Sequence, residues 1–202
     1  MKLYYYPGAC SMAPHIVLRE AGYKFDLDKV DFASMKTASG EDYSKVNPKG
    51  YVPAIKLDDG QVLTEVAVIL QYLADQKPQS GLAPKAGTME RYRLMEWLNF
   101  VATEIHKTLG ALFNPKITPD WKENQIALFG KRCEILTRNL SGKQYLMGDK
   151  FSLADTYLFT ILNWSHFLNV DMSKWPELKD YMARVAARPA VKEAMKAEGL
   201  VK

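Results

Sequence analysis

The chain has 202 residues, 48% of them hydrophobic and 25% charged, with a formal net charge of +4. That balance suits a folded chain with one large core or two smaller ones, and it excludes a disordered or low-complexity polypeptide. Lysine and arginine are interspersed with acids, so no basic run marks a nucleic-acid or membrane-surface partner.

No apolar run approaches the ~18 residues needed to span a bilayer, and the start Met1-Lys2-Leu3-Tyr4 enters a strand pattern with no signal-peptide core. The two cysteines, Cys10 and Cys133, are far apart. Reduced thiols in the cytoplasm are therefore the expectation. His15, His106 and His166 are isolated from other metal-ligating residues, and neither GxGxxG nor a GxxxxGK[ST] loop occurs, so no metal or bound cofactor is expected.

Residues 2–6 are rich in β-forming side chains and predict a first strand. A helix follows over residues 11–21, with Ser11 as N-cap, Pro14 in the first turn and Gly22 just past the end. Cys10 falls where the turn meets this helix. Unpaired amides and the positive end of the macrodipole favour a thiolate there. Position 13 is Ala13, so a disulfide from Cys10 needs a partner outside its own motif. Taken alone, the loop leaves two readings open: a nucleophile, or a small buried filler. Residues 25–31 alternate apolar with charged and predict a second strand, joined to the first by a right-handed crossover.

Residues 33–46 read as irregular, with a short helix near residues 41–45. Pro48, Gly50 and Pro53 shape the loop after it. Residues 54–57 and 61–63 flank Asp58-Asp59-Gly60, a hairpin signal, and Thr64 is expected to cap a helix over residues 65–75. The Pro- and Gly-rich residues 77–87 mark a boundary. The predicted domains are thus 1–77, a linker at 78–87, and an all-helical 88–202.

In the second part, residues 88–109 form one long helical pattern with Tyr92, Met95, Leu98, Val101 and Ile105 at three- and four-residue steps, of which Leu98, Val101 and Ile105 turn inward. Thr118-Pro119-Asp120 opens a helix that runs to Leu140 and stops at Ser141-Gly142. Ser152 and Asp155 have capping-box spacing ahead of an apolar run over residues 157–164, so Asp155 reads as a folding residue. Residues 173–187 and 189–198 predict two last helices. His15 and His166 read as structural, and Cys133 as inert.

Several motifs, in this order and spacing, resemble bacterial beta-class glutathione S-transferases over essentially the whole chain. They are Pro7-Gly8-Ala9-Cys10-Ser11, Val46-Asn47-Pro48-Lys49-Gly50, Val52-Pro53, Leu63-Thr64-Glu65, Gln71-Tyr72-Leu73-Ala74-Asp75, Glu96-Trp97-Leu98-Asn99-Phe100 and Glu104-Ile105-His106-Lys107. Gly148-Asp149, Ser152-Leu153-Ala154-Asp155 and Arg188-Pro189 extend the match to the end of the chain. The resemblance implies an α/β thioredoxin-like N-terminal domain plus an all-α helical domain, and a homodimer. The implied activity is a detoxifying transferase that joins glutathione, a co-substrate, to a small hydrophobic electrophile, with no other cofactor.

The resemblance also implies residue roles. Cys10 touches the glutathione sulfur and can form a mixed disulfide with it, and Ser11 or His106 supplies a hydrogen bond to the thiol. Pro53 is a cis-proline that lets Val52, beside Tyr51, pair with the extended tripeptide. Glu65 and the amide of Val66 clamp the γ-glutamyl end. Asn99, Thr103, Glu104 and Lys107 lie with His106 on the helix that this family turns toward its ligand. The physical needs of the ligand agree: helix-end amides suit its carboxylates, a carboxylate suits its ammonium, and a sheet edge suits its backbone. Val66 and Met35-Lys36 depart from the pattern, since many relatives have glycine or serine after the glutamate and a lysine pair before Thr37. These departures leave room for a rival reading, a non-catalytic binder of hydrophobic ligands or of a protein partner.

Overall fold

The computed structural model describes residues 1–202, which form two compact units: Met1–Gly81 with Arg188–Lys202, and Leu82–Ala187. Residues 88–202 are therefore not one helical domain. The last helix closes back on the first unit.

In the first unit, β1 (Lys2–Tyr5), α1 (Met12–Glu20) and β2 (Asp26–Asp31) make the predicted crossover, with β1 and β2 parallel. β3 (Lys36–Thr37) and α2 (Tyr43–Val46) follow, then the hairpin β4 (Ala54–Lys56) and β5 (Val62–Thr64), and then α3 (Val66–Gln76). The strand order is β3-β2-β1-β4-β5. β3 was not expected. At two residues it is too short to show an alternating period, and it exists because Val30 and Asp31 pair with Thr37 and Lys36. Leu3 and Tyr4 of β1, and Ile55 of β4, are fully buried. The last helix, α10 (Pro189–Ala197), packs on α1 and is tied to it by a two-pronged Arg188–Glu20 ion pair at 2.6 and 3.0 Å.

Strand β2 carries a polar residue inward. Asp28 shares a face with Val30 and is 3% exposed. Its carboxylate accepts from the Ser39 amide (3.0 Å) and from Lys2 Nζ (3.1 Å). Lys2 also reaches Glu41 (2.9 Å), which in turn accepts the Tyr4 hydroxyl at 2.7 Å. Buried carboxylates persist only when paired in this way.

The second unit is helical: α4 (Met89–Phe100), a π-helical stretch Val101–His106, α5 (Lys107–Ala111), α6 (Pro119–Leu140), α7 (Leu153–Leu162), α8 (Trp164–Leu168) and α9 (Pro176–Ala186). The predicted long helix thus contains a π-helical segment, whose wider turn shifts the faces that 3.6-residue spacing implies. Leu94, Leu98, Val101 and Ile105 are buried, whereas Tyr92 and Met95 are 56% and 40% exposed and do not join the core. Helix α7 is buried over its whole length and opens with the Ser152–Asp155 capping box. No helix is long and apolar enough to cross a membrane.

Candidate active site

Three strands bring one end of the sheet together. Tyr4 of β1 pairs with Ala54 of β4, which pairs with Thr64 of β5. The loop after β1, the segment before Ala54 and the residue after Thr64 therefore emerge side by side. These are the Cys10 loop, Val52-Pro53 and Glu65.

The Cys10 loop turns through Gly8 at φ +72°, a conformation that costs glycine nothing, and closes with Ala9 N–H to Tyr6 O at 3.0 Å. Cys10 is half-buried, and its thiol donates to the Val52 carbonyl at 3.2 Å. Ser11 does not cap α1. Its hydroxyl accepts from Tyr6 N–H (3.1 Å) and donates to Tyr6 O (3.2 Å), and the side chain is fully buried. A hydroxyl has one proton, and here it lies on Tyr6, so the geometry makes Ser11 a brace for the loop rather than a donor to sulfur.

The peptide bond between Val52 and Pro53 is cis. The preceding carbonyl, of Tyr51, accepts from both Asn47 Nδ2 (2.6 Å) and the Tyr43 hydroxyl (2.7 Å). Burial pushes that Tyr43 hydroxyl up to about 12, so it stays a donor at any working pH. Val52 offers its carbonyl to Cys10, while no hydrogen bond within the chain engages its N–H. The Tyr51 side chain stands 74% exposed beside it.

Glu65, not Thr64, precedes α3, and it sits at φ +71° and ψ +120°. A non-glycine residue there stores about 1–3 kcal/mol of backbone strain, a feature concentrated at ligand sites. The first α3 bonds run from Val68 and Ile69 N–H to Glu65 O, which leaves the Val66 and Ala67 amides without a partner in the chain. The Val66 side chain is turned into the core at 6% exposure, so the departure from glycine or serine keeps the amide available. The Glu65 carboxylate accepts from Lys49 Nζ at 2.6 Å, an exposed pair of the kind worth under about 1 kcal/mol. An incoming ammonium can displace such a partner.

In the helical unit, His106 ends the π-helical stretch. Its Nδ1 lies 2.6 Å from the Tyr157 hydroxyl, and its ring meets Trp164 edge-on at 5.0 Å and Tyr157 at 5.7 Å. The ring is thus held on two sides, the hydrogen bond setting which nitrogen is engaged. Glu104 is occupied differently from the expectation. It accepts two bonds from Arg132 of α6, at 2.8 and 2.6 Å, which ties the stretch to its neighbour. Thr103 turns its hydroxyl back to Asn99 O at 3.1 Å. Asn99 and Lys107 are exposed.

The structure therefore gathers Cys10, Ser11, Tyr51, Val52, Pro53, Glu65 and Val66 at one end of one sheet, and holds Asn99, Thr103, Glu104, His106 and Lys107 along a single helical run in the other unit. A surface cavity of about 460 Å³ lined by Arg93, Trp97, Lys143 and Met147 contains none of them. Sequence reasoning missed Lys49, Asn47 and Tyr43, which brace the loop and Glu65, and Tyr157, which holds His106. Asn47 and Lys49 lie inside a quoted motif, so a signal existed. Tyr157 sat unmarked in an apolar run.

Residues 8–76 match the family model "Glutathione S-transferase, N-terminal domain", and residues 100–189 match "Glutathione S-transferase, C-terminal domain". The chain is 42% identical to glutathione S-transferase GstA of Escherichia coli O157:H7 over 200 residues, covering 99% of this chain and all of the relative. Among solved structures, a glutathione transferase from Methylococcus capsulatus superposes with a TM-score of 0.97 at 58% identity, covering 99% of each chain. A sphingomonad glutathione S-transferase complexed with glutathione gives 0.95 at 46%, and the beta-class enzyme of Sphingomonas chungbukensis 0.95 at 48%, both over the full length of each chain. With both halves of the fold matched, this chain belongs to the glutathione S-transferase family, in its bacterial beta class.

Proposed function

We propose that this transferase binds glutathione along residues 51–53 and around Glu65, and joins its sulfur to small hydrophobic electrophiles. The observation that carries the reading is the set of unused donors beside Cys10: the Val52 N–H and the Val66 and Ala67 amides at the start of α3. The Val52 N–H would pair with the backbone of the extended tripeptide, with Tyr51 and Pro53 flanking it. The α3 amides would take the γ-glutamyl carboxylate. Glu65 would take the γ-glutamyl ammonium in place of Lys49.

Cys10 is then adjacent to the glutathione sulfur. Held there, the sulfur is a positioned nucleophile, and attack on the electrophile forms the new carbon–sulfur bond as the leaving group departs. Cys10 adds a second chemistry. Its thiolate attacks glutathione disulfide, gives a mixed disulfide and releases one glutathione thiolate. Ser11 acts by shaping the loop. For His106, Asn99, Thr103, Glu104 and Lys107 the support is the family resemblance, together with the rigid mounting of His106 on Tyr157 and Trp164. The active form is a homodimer working in the cytoplasm. Self-association is supported by Met89, Tyr92 and Met95, which stand 65%, 56% and 40% exposed on α4.

The test is Cys10→Ala. Conjugation of glutathione to an activated aryl halide should stay within about tenfold of the parent, while exchange with glutathione disulfide falls by roughly a hundredfold or more. Both activities unchanged would remove Cys10 from the chemistry. Calorimetry with millimolar glutathione and no heat of binding would end the proposal.

A further inference from the structure

Glu198 lies at the end of α10 with its side chain buried in the first unit. Its carboxylate is fully inaccessible, and it caps the end of a helix where the macrodipole is already negative. A buried carboxylate in that position depends on its hydrogen-bond partners. Oε1 lies 2.8 Å from His15 Nδ1, itself fully buried in α1. The other nitrogen of His15, Nε2, accepts from Arg19 Nε at 2.9 Å. With Arg19 donating to Nε2, the imidazole is neutral and carries its proton on Nδ1, aimed at Glu198. A carboxylate, an imidazole and a guanidinium are thereby linked in one line, and Arg19 ends on Glu193 of α10 at 3.2 Å.

These bonds alone would fasten α10 to α1. The second carboxylate oxygen does something else. Oε2 accepts the backbone N–H of Gly8 at 2.8 Å, in a buried contact between residues 190 apart in sequence. Gly8 lies in the loop at φ +72°, two residues before Cys10, whose thiol reaches Val52 O at 3.2 Å. We infer that Glu198 is a positioning residue for Cys10, holding the loop through Gly8 and held in turn by His15 and Arg19. The importance of this for turnover rests on the reading of Cys10 given above, but the positioning itself can be measured without glutathione.

The test is Glu198→Gln. An amide cannot accept from both Gly8 N–H and His15 Nδ1–H, because one of its two atoms is itself a donor. Either the Gly8 bond or the relay to Arg19 is lost. The rate of Cys10 alkylation by iodoacetamide is followed against pH, and buried Cys133 serves as the silent thiol in the same chain. The expected result is at least a fivefold faster Cys10 rate together with a displaced pH profile, since the freed loop releases the sulfur from Val52. The KM for glutathione should rise with kcat changed less than twofold. Glu20→Gln is the control. It breaks the Arg188 pair that ties the same helix to α1 but leaves Gly8 untouched, so Cys10 should react within twofold of the parent.

Should Glu198→Gln fail to fold, His15→Asn takes its place. Too short to reach Glu198, it should speed alkylation about threefold. A folded Glu198 or His15 variant with the parental rate and profile, or a Glu20→Gln variant equally accelerated, would overturn the inference. A parent chain without transferase activity, with the alkylation result intact, would instead count against the functional reading.

Discussion

Replacing Asp155 by alanine removes the acceptor for four donors at once. Oδ1 accepts from Leu146 N–H (2.9 Å) and from the Tyr181 hydroxyl (3.0 Å), and Oδ2 from Ser152 N–H (2.9 Å) and Ser152 Oγ (2.8 Å). The site is fully buried, so water does not replace the carboxylate without opening the packing. The two hydroxyls can rotate toward other acceptors, but the two backbone amides cannot. Each stranded amide costs about 1–3 kcal/mol, and the Ser152 amide is itself the cap contact of α7, so the two together give on the order of 2–6 kcal/mol. That is a large part of the 5–15 kcal/mol typical of a whole domain. All four tryptophans, Trp97, Trp121, Trp164 and Trp175, lie in the helical unit, so their fluorescence in urea reports that unit alone. The expected outcome is a lower midpoint at unchanged slope, with Asp155→Asn intermediate because its amide keeps one acceptor atom. A midpoint shift equivalent to less than about 1 kcal/mol would refute the accounting. Equal losses for Ala and Asn would show that charge, not the number of acceptors, is what the site needs.

Two further outcomes follow from networks elsewhere. Glu41 is held below the usual carboxylate range by the Tyr4 hydroxyl and then by Lys2; in Asp28 burial pushes upward, but Ser39 and Lys2 outweigh it. Carboxylates depressed on folding add stability that is present above their unfolded values, near pH 4, and lost as pH falls through the folded ones. The melting temperature should therefore drop below about pH 4, and Glu41→Gln should flatten that drop; an identical acid slope in the variant would contradict the assignment. Tyr157→Phe removes the hydroxyl at His106 Nδ1 while keeping the ring contact, so conjugation should fall about fivefold with the fold unchanged by circular dichroism. Parental kinetics would count against a part for the Tyr157–His106 contact in conjugation.

The features legible in the sequence are those whose cause lies within a few residues. Asp58-Asp59-Gly60 between residues 54–57 and 61–63 foretold the β4–β5 hairpin, and Ser152-x-x-Asp155 foretold the capping box that opens α7. Where one local pattern permits two outcomes, reading failed. Ser11 is as good a cap by composition as it is a brace to Tyr6, and only the burial of the loop decides between them. Thr64 looks like a cap until β5 claims it, which passes that position to a strained Glu65. Nothing in composition marks the π-helical stretch over Val101–His106, because widening one turn changes hydrogen-bond partners rather than residue preferences.

The site shows the same division more sharply. Cys10, Val52, Pro53 and Glu65 were named through family motifs, and strand register explains why these distant motifs emerge together: Tyr4, Ala54 and Thr64 are cross-strand neighbours. Side chains that join distant segments had no such marker. His15 reads as structural from its place in a helix, and its partner lies 183 residues away at the end of α10. A histidine buried in the first helix and an acid near the end of the chain are each unremarkable alone. Together they carry the Gly8 amide, and so the last helix of the chain acts on the loop that presents its only half-exposed thiol.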